Sequence, residues 1–234
     1  MKNKVKFLAI IPARKNSKTL KNKNIKLFNG KPLIYWTIKE ALKSKYLSSI
    51  ILSTDSEKII KYCKKFKIII PFKRPKHISL SSTPMIKVIQ HVLKNKEIRE
   101  KKYDAIVLLQ PTSPLRVAKD IDEACKVFLK EKPDSLVSIN QLNHTLNPES
   151  LFNRKGLLLN KAFKIKKESL RQNKKIYFAP NGAAIYITPK KNISKFIVGG
   201  KKIAGFLMPK KRSIDIDDII DFKLAEYLKK NDFN

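Results

Sequence analysis

Short unbroken apolar runs alternate along this chain with segments whose apolar residues recur every three or four positions. The runs are FLAII (Phe7–Ile11), SIILS (Ser49–Ser53), IIIP (Ile68–Pro71), AIVLLQ (Ala105–Gln110) and SLVSI (Ser135–Ile139). Most lack the strict alternation of a strand with one wet face, so they predict parallel strands covered on both sides. Three stripes between them predict amphipathic helices: Ile34, Ile38, Ala41 and Leu42; Ile59, Ile60, Cys63 and Phe66; and Ile121, Ala124, Cys125, Phe128 and Leu129. A β–α–β–α order requires right-handed crossovers and gives a three-layer α/β domain with a mostly parallel sheet.

The alternation stops after Ile139. Residues from about 140 to 177 carry NHTLNPES and then the Lys-rich FKIKKESLRQNKKIY, which reads as an insertion within one domain spanning 1–234. The main pattern resumes with AAIYIT (Ala183–Thr188) and IAGFLMP (Ile203–Pro209). A final helix from about Asp218 to Lys229 would bury Ile219, Phe222, Ala225 and Leu228.

Composition narrows the function. With 52 Lys+Arg against 19 Asp+Glu, the net charge of +33 raises nucleic acid as a partner. Only seven of those 52 are arginine, and the lysines are spread along the whole chain, with no basic tail. Arginine supplies the bidentate contacts that read bases and phosphates, so the charge reads as a solvated surface and no specific nucleic-acid binding is expected. Cys63 and Cys125 lie far apart at apolar helical positions, which argues against a disulfide framework or a thiolate metal site. The N-terminal apolar run is five residues long and ends at Pro12 and Arg14, too short for an export signal. No segment approaches the ~18 apolar residues of a membrane span. The expectation is a cytoplasmic protein without a membrane partner.

The candidate chemistry begins where the first run ends. FLAIIPARKNSKTLKNKN passes from a buried strand straight into a loop bearing Arg14, Lys15, Lys18, Lys21 and Lys23. In doubly wound sheets ligands bind beyond the carboxyl ends of the strands, the position of this loop, of STD (Ser53–Asp55) and of QPTSPLR (Gln110–Arg116). Five cations there suit a polyphosphate or another small polyanion. Neither GxGxxG nor GxxxxGK[ST] occurs, so neither a dinucleotide fingerprint nor a P-loop is present, and phosphates would rest on backbone N–H groups and lysines.

IIPARKNSKTLKNKNI resembles the N-terminal signature of the acylneuraminate cytidylyltransferases, the CMP-sialic acid synthetases, which read roughly PAR-x-x-SK-x-[LI]-x-x-KNI. The resemblance continues in order through LLQPTSPLR, RQN (Arg171–Asn173), PNGAAIYI (Pro180–Ile187) and SIDIDDIIDF (Ser213–Phe222). It implies a Rossmann-like, GT-A-like nucleotidyltransferase fold whose insertion serves as a dimerisation and sugar-binding subdomain, and hence a homodimer. It also implies a reaction in which CTP and a nonulosonic acid give the CMP-sugar and pyrophosphate, the C2 hydroxyl attacking the α-phosphorus in line.

On matching positions the resemblance places Arg14 and Lys23 on the triphosphate, with Asn24 positioning the nucleotide and Ser17 and Lys18 supporting the loop. Gln110, with Thr112, Ser113 and Arg116, would recognise the sugar; Arg171 and Gln172 would lie near it, and Asn181 would also contact substrate. RPKHISLSS (Arg74–Ser82) stands where many members carry an RPxxLAxD-like segment near base and ribose. Arg74 is retained there and the aspartate is missing.

Each motif also has a plainer reading. Pro111 and Pro114 would lock a turn around two hydroxyl residues whatever binds there. Gly182 would supply a backbone angle that other residues resist, and His77, His91 and His144 share no metal-ligand spacing. Asp215 and Asp217, two apart on an extended segment, point to the same side and can share one cation, and oxygen donors suit Mg²⁺. The alternative there is that Asp217 or Asp218 merely caps the last helix. Two other functions stay open from sequence: nucleotidyl transfer to an eight-carbon keto-deoxy acid or a sugar phosphate, and nucleic-acid binding driven by charge.

Overall fold

The computed structural model describes residues 5–17, 19–163 and 175–231. Its centre is β1 (Phe7–Pro12), six buried residues whose side chains feed cores on both faces of the sheet. The chain continues through β2 (Leu27–Phe28), β3 (Lys31–Pro32), α1 (Leu33–Lys43), β4 (Leu47–Ser53), α2 (Glu57–Cys63), α3 (Met85–Lys94), α4 (Lys96–Glu100), β5 (Ala105–Leu108), α5 (Ala118–Glu131) and β6 (Ser135–Gln141). It then passes through β7 (Phe152–Lys155), β8 (Leu158–Lys161), β9 (Phe178–Pro180), β10 (Tyr186–Pro189), β11 (Ile203–Leu207) and α6 (Ile219–Lys230).

The main sheet runs β11-β6-β10-β5-β1-β4, with β9 added to the end of β6. β1 pairs in parallel with β4 and β5, and β11 with β6, whereas β10 lies antiparallel between β5 and β6. One face carries Ala9 and Ile11 against Ile34, Ile38, Ile121 and Ala124; the other carries Leu8 and Ile10 against Ile89 and Val92. The predicted helices and the mostly parallel α/β sheet are therefore present, although on α6 Ile219, expected inside, is exposed and Phe222 and Ala225 are the buried residues. The two cysteines are free and buried, which pushes the Cys63 thiol up to about 12. Among the described residues, no helix is long and apolar enough to cross a membrane.

Two predicted strands differ. Ile68–Pro71 makes one parallel bridge, Ile51 to Ile69, in place of a strand. The Ile69 amide donates 2.8 Å to the Ile50 carbonyl and the Leu52 amide donates 2.9 Å to the Ile69 carbonyl, after which Pro71 has no N–H to extend the ladder. AAIYIT enters the sheet only at Tyr186, because the preceding residues form a turn with Gly182 at φ +67°. The expected insertion holds the exposed hairpin β7–β8 and short 3₁₀ turns.

Candidate active site

The basic loop is built outward from the end of β1. The Ala13 amide still donates 2.9 Å to the Ser53 carbonyl, so the chain leaves the sheet only after that residue. Its next turn is pinned by the Lys15 amide, which donates 2.7 Å to Asp55 Oδ1 beyond the end of β4. The Asn24 side-chain amide then donates 2.9 Å to the Arg14 carbonyl, closing the loop on itself. Asn22, at φ +55°, turns the chain into the short 3₁₀ turn Lys23–Ile25, and asparagine is among the residues that tolerate this region.

Opposite the loop runs the extended segment before α6. The Ile216 amide donates 2.8 Å to the Thr112 carbonyl, which fastens this segment to the Pro-locked turn after β5. Asp218 caps α6, its Oδ1 accepting from the Ile220 and Asp221 amides at 2.8 and 3.0 Å. The cap is therefore Asp218, and neither Asp215 nor Asp217 is spent on it. Loop and segment meet directly: Lys23 Nζ donates 2.6 Å to the Ile216 carbonyl, and the Thr19 hydroxyl donates to the Asp217 carbonyl.

Arg14, Ser17, Lys23, Asn24, Arg74, Gln110, Thr112, Asp215 and Asp217 line one cleft of about 270 Å³, together with Ser79, Ser81 and Thr83 from the loop before α3. Burial holds the Lys23 ammonium below the ordinary lysine range, against the pull of Asp217 and Asp215, and nearby Arg14 adds to the lowering. Burial likewise raises the Asp215 carboxyl; Thr112 and Lys23 oppose that rise and Asp217 adds to it. Its Oδ1 is buried with no hydrogen-bond partner among the described residues. Arg74 is 4% exposed, its amide donating 2.7 Å to the Thr54 carbonyl, while its buried Nε and Nη2 have no partner among those residues. Burial lowers its guanidinium, Asp55 offsets this and Arg14 adds to it. Buried polar atoms left without partners beside a cleft mark it as a candidate ligand site.

Three residues expected at the site lie behind it. Ser113 is buried beneath the turn. Arg116 is 1% exposed; its Nη1 donates to the Ala184 and Gln110 carbonyls and its Nη2 donates 2.9 Å to the Thr37 hydroxyl. Asn181 accepts 2.7 Å from the Ser138 hydroxyl and donates 3.0 Å to Ser213 Oγ. All three stand outside the cleft lining; Arg116 and Asn181 brace the segments behind it, and the Ser113 hydroxyl has no partner among the described residues. Lys18, Arg171 and Gln172 lie outside the described residues. Asp55, at the rim in the STD segment, holds the basic loop through the Lys15 amide; its signal in the sequence is an acid at a strand's carboxyl end in a chain with 19 acids against 52 cations.

A cleft at the carboxyl ends of parallel strands that gathers Arg14 and Lys23 with the carboxylate pair Asp215 and Asp217 defines a nucleotidyltransferase-type α/β protein. The chain belongs to the cytidylyltransferase family, whose sequence profile matches residues 8–232. It is 32% identical over 228 residues to the N-acylneuraminate cytidylyltransferase of Escherichia coli O18:K1:H7, covering 95% of this chain and 52% of that one. It is 31% identical over 231 residues to the CMP-N,N'-diacetyllegionaminic acid synthase of Legionella pneumophila, covering 96% of each. The chain thus spans about half of the first relative and nearly all of the second. A solved CMP:2-keto-3-deoxy-manno-octonic acid synthetase, complexed with CTP, superposes with a TM-score of 0.69 at 15% identity, covering 97% of this chain and 100% of that one. At that identity the likeness is one of fold.

Proposed function

We propose that this protein activates a nonulosonic, sialic-type acid: CTP and the 2-keto sugar acid give the CMP-sugar acid and pyrophosphate. One observation carries the reading. Arg14 and Lys23, from the loop after the first strand, line the same cleft as Asp215 and Asp217, from the segment before the last helix. The names of the E. coli and Legionella relatives supply the substrate class.

In this reading the C2 hydroxyl attacks the α-phosphorus, a new P–O bond forms, and the bond to the β-phosphate oxygen breaks. Negative charge grows on the departing pyrophosphate, where Arg14 and the buried Lys23 would offset it. Arg74, which lines the same cleft, would contact the nucleotide, and Gln110 and Thr112 would face the sugar acid.

The donor set fits Mg²⁺. Asp215 and Asp217 offer oxygen alone, and one of those oxygens is buried and unpartnered among the described residues. Two carboxylates sharing the ion with substrate phosphates is the usual Mg²⁺ arrangement. When bound, the ion neutralises phosphate charge and lowers the pKa of an attacking hydroxyl. The protein would act in the cytoplasm as a homodimer. The apolar tip of the β7–β8 hairpin supports the dimer, with Leu157, Leu158 and Leu159 at 91%, 74% and 60% exposure.

The test is pyrophosphate release from each of the four common nucleoside triphosphates with sialic, legionaminic, pseudaminic and eight-carbon keto-deoxy acids. CTP with a nine-carbon acid should give a CMP conjugate seen by mass spectrometry. Turnover only with the eight-carbon acid, or with none, would overturn the assignment.

A further inference from the structure

The turn before β10 packs against the acidic segment at Asp215. Gly182 stands at φ +67°, and its Cα backs onto the Asp215 carboxylate. A Cβ placed on Gly182 would lie 2.3 Å from Asp215 Cγ and 2.4 and 2.6 Å from its two oxygens. Distances of that kind do not occur between real atoms, so any side chain at 182 must displace the carboxylate, the turn, or both.

The turn itself has little room to give. Asn181 accepts from Ser138 on β6 and donates to Ser213, two residues before Asp215, and its amide nitrogen also lies 3.3 Å from Met208 Sδ. The Ile185 amide donates 2.9 Å to the same Ser138 hydroxyl. On its far side the acidic segment is held by the Ile216 amide bond to Thr112. With both flanks fastened, the carboxylate of Asp215 is the part free to yield.

We infer that Gly182 is a positioning residue for Asp215: the missing side chain makes the space that holds this carboxylate at the cleft wall. The inference rests on the proposed role of Asp215 in the nucleotide site. It assigns Gly182 a task beyond its backbone angle, which asparagine can also adopt.

The experiment compares Gly182→Ala, Gly182→Asn, Asp215→Ala and the double variant Gly182→Ala/Asp215→Ala. The readouts are the thermal midpoint without substrate or metal, kcat, and the Mg²⁺ concentration for half-maximal rate. The expected result is that Gly182→Ala and Gly182→Asn both lower kcat about 100-fold or more, as large as the loss when a group stabilising the transition state is deleted, and both raise the Mg²⁺ requirement. In the Asp215→Ala background Gly182→Ala should cost far less of the midpoint than it does in the native chain.

Restoration by Gly182→Asn would mean that only the backbone angle matters and would overturn the inference. So would an equal midpoint loss in the two backgrounds. The thermal coupling is read without substrate and therefore tests the contact even if the substrate assignment fails. Native turnover in Asp215→Ala with the coupling intact would instead count against the proposed role of Asp215.

Discussion

The ammonium of Lys23 donates 2.6 Å to the backbone carbonyl of Ile216, the residue between Asp215 and Asp217. This contact holds a desolvated cation within the field of both carboxylates without spending it as an ordinary ion pair, since its bonded partner is neutral. Burial opposes the charge and the aspartates favour it. The cost of holding the ammonium is thus partly met by groups that belong to the same cleft.

Lys23→Met should therefore fold well and work poorly. Removing a buried cation relieves desolvation, so the urea midpoint should stay near the native value. Turnover should fall by roughly 10²–10³, as when a group aimed at developing charge is deleted. Lys23→Arg should rescue little, because a planar fork does not occupy the slot of a compact ammonium. Steady-state kinetics at saturating CTP checks this; a Lys23→Met rate within a few-fold of native would exclude the role at the leaving group.

Arg116 leads to the opposite expectation. Its guanidinium is fully buried, held down to about 10 by burial despite Asp120 and Glu40, and it ties the turn after β5 to the Ala184 carbonyl and to Thr37 on α1. Arg116→Met would strand these acceptors in the core. The loss should be on the order of 3 kcal/mol of folding stability. The KM for CTP of the folded fraction should stay nearly native. Chemical denaturation and kinetics together separate the two effects, and a large rise in KM without lost stability would return Arg116 to the ligand.

The contrast between Lys23 and Arg116 shows how far the sequence could be read. Strands such as Phe7–Pro12 were legible because a doubly covered strand must be continuously apolar. The loop after it was legible because the carboxyl end of such a strand is where ligands sit. Arg116 follows a Pro-locked turn, and composition does not tell whether a residue there faces the cleft or the core. Asn181 sits beside Gly182 in the same kind of ambiguity, and its hydrogen bonds to Ser138 and Ser213 join segments far apart in sequence. The strand expected at Ile68–Pro71 does not form, for a related reason. Its apolar run was real, but only Ile69 found a pairing partner at the sheet's edge.

His91 gives a prediction about pH. On α3 its ring meets Phe72 edge-on at 4.4 Å, and its buried Nδ1 has no partner among the described residues. Burial lowers its pKa below 6.5, and the charges of His77, Arg74 and Lys94 lower it further. The unfolded chain therefore binds a proton at 91 in a pH window where the folded chain does not. Stability must rise with pH across that window, and it is lost as pH falls through 6.5 toward the lowered folded value. Other groups titrate nearby; burial raises Asp215 and works in the opposite sense. The informative quantity is thus the difference between native and His91→Gln urea midpoints, measured at about pH 7.5 and about pH 5. His91→Gln should lose less stability than the native chain over that range. Equal losses would mean that His91 carries a proton as readily in the fold as out of it, and that its neighbours, Arg74 included, leave it unaffected.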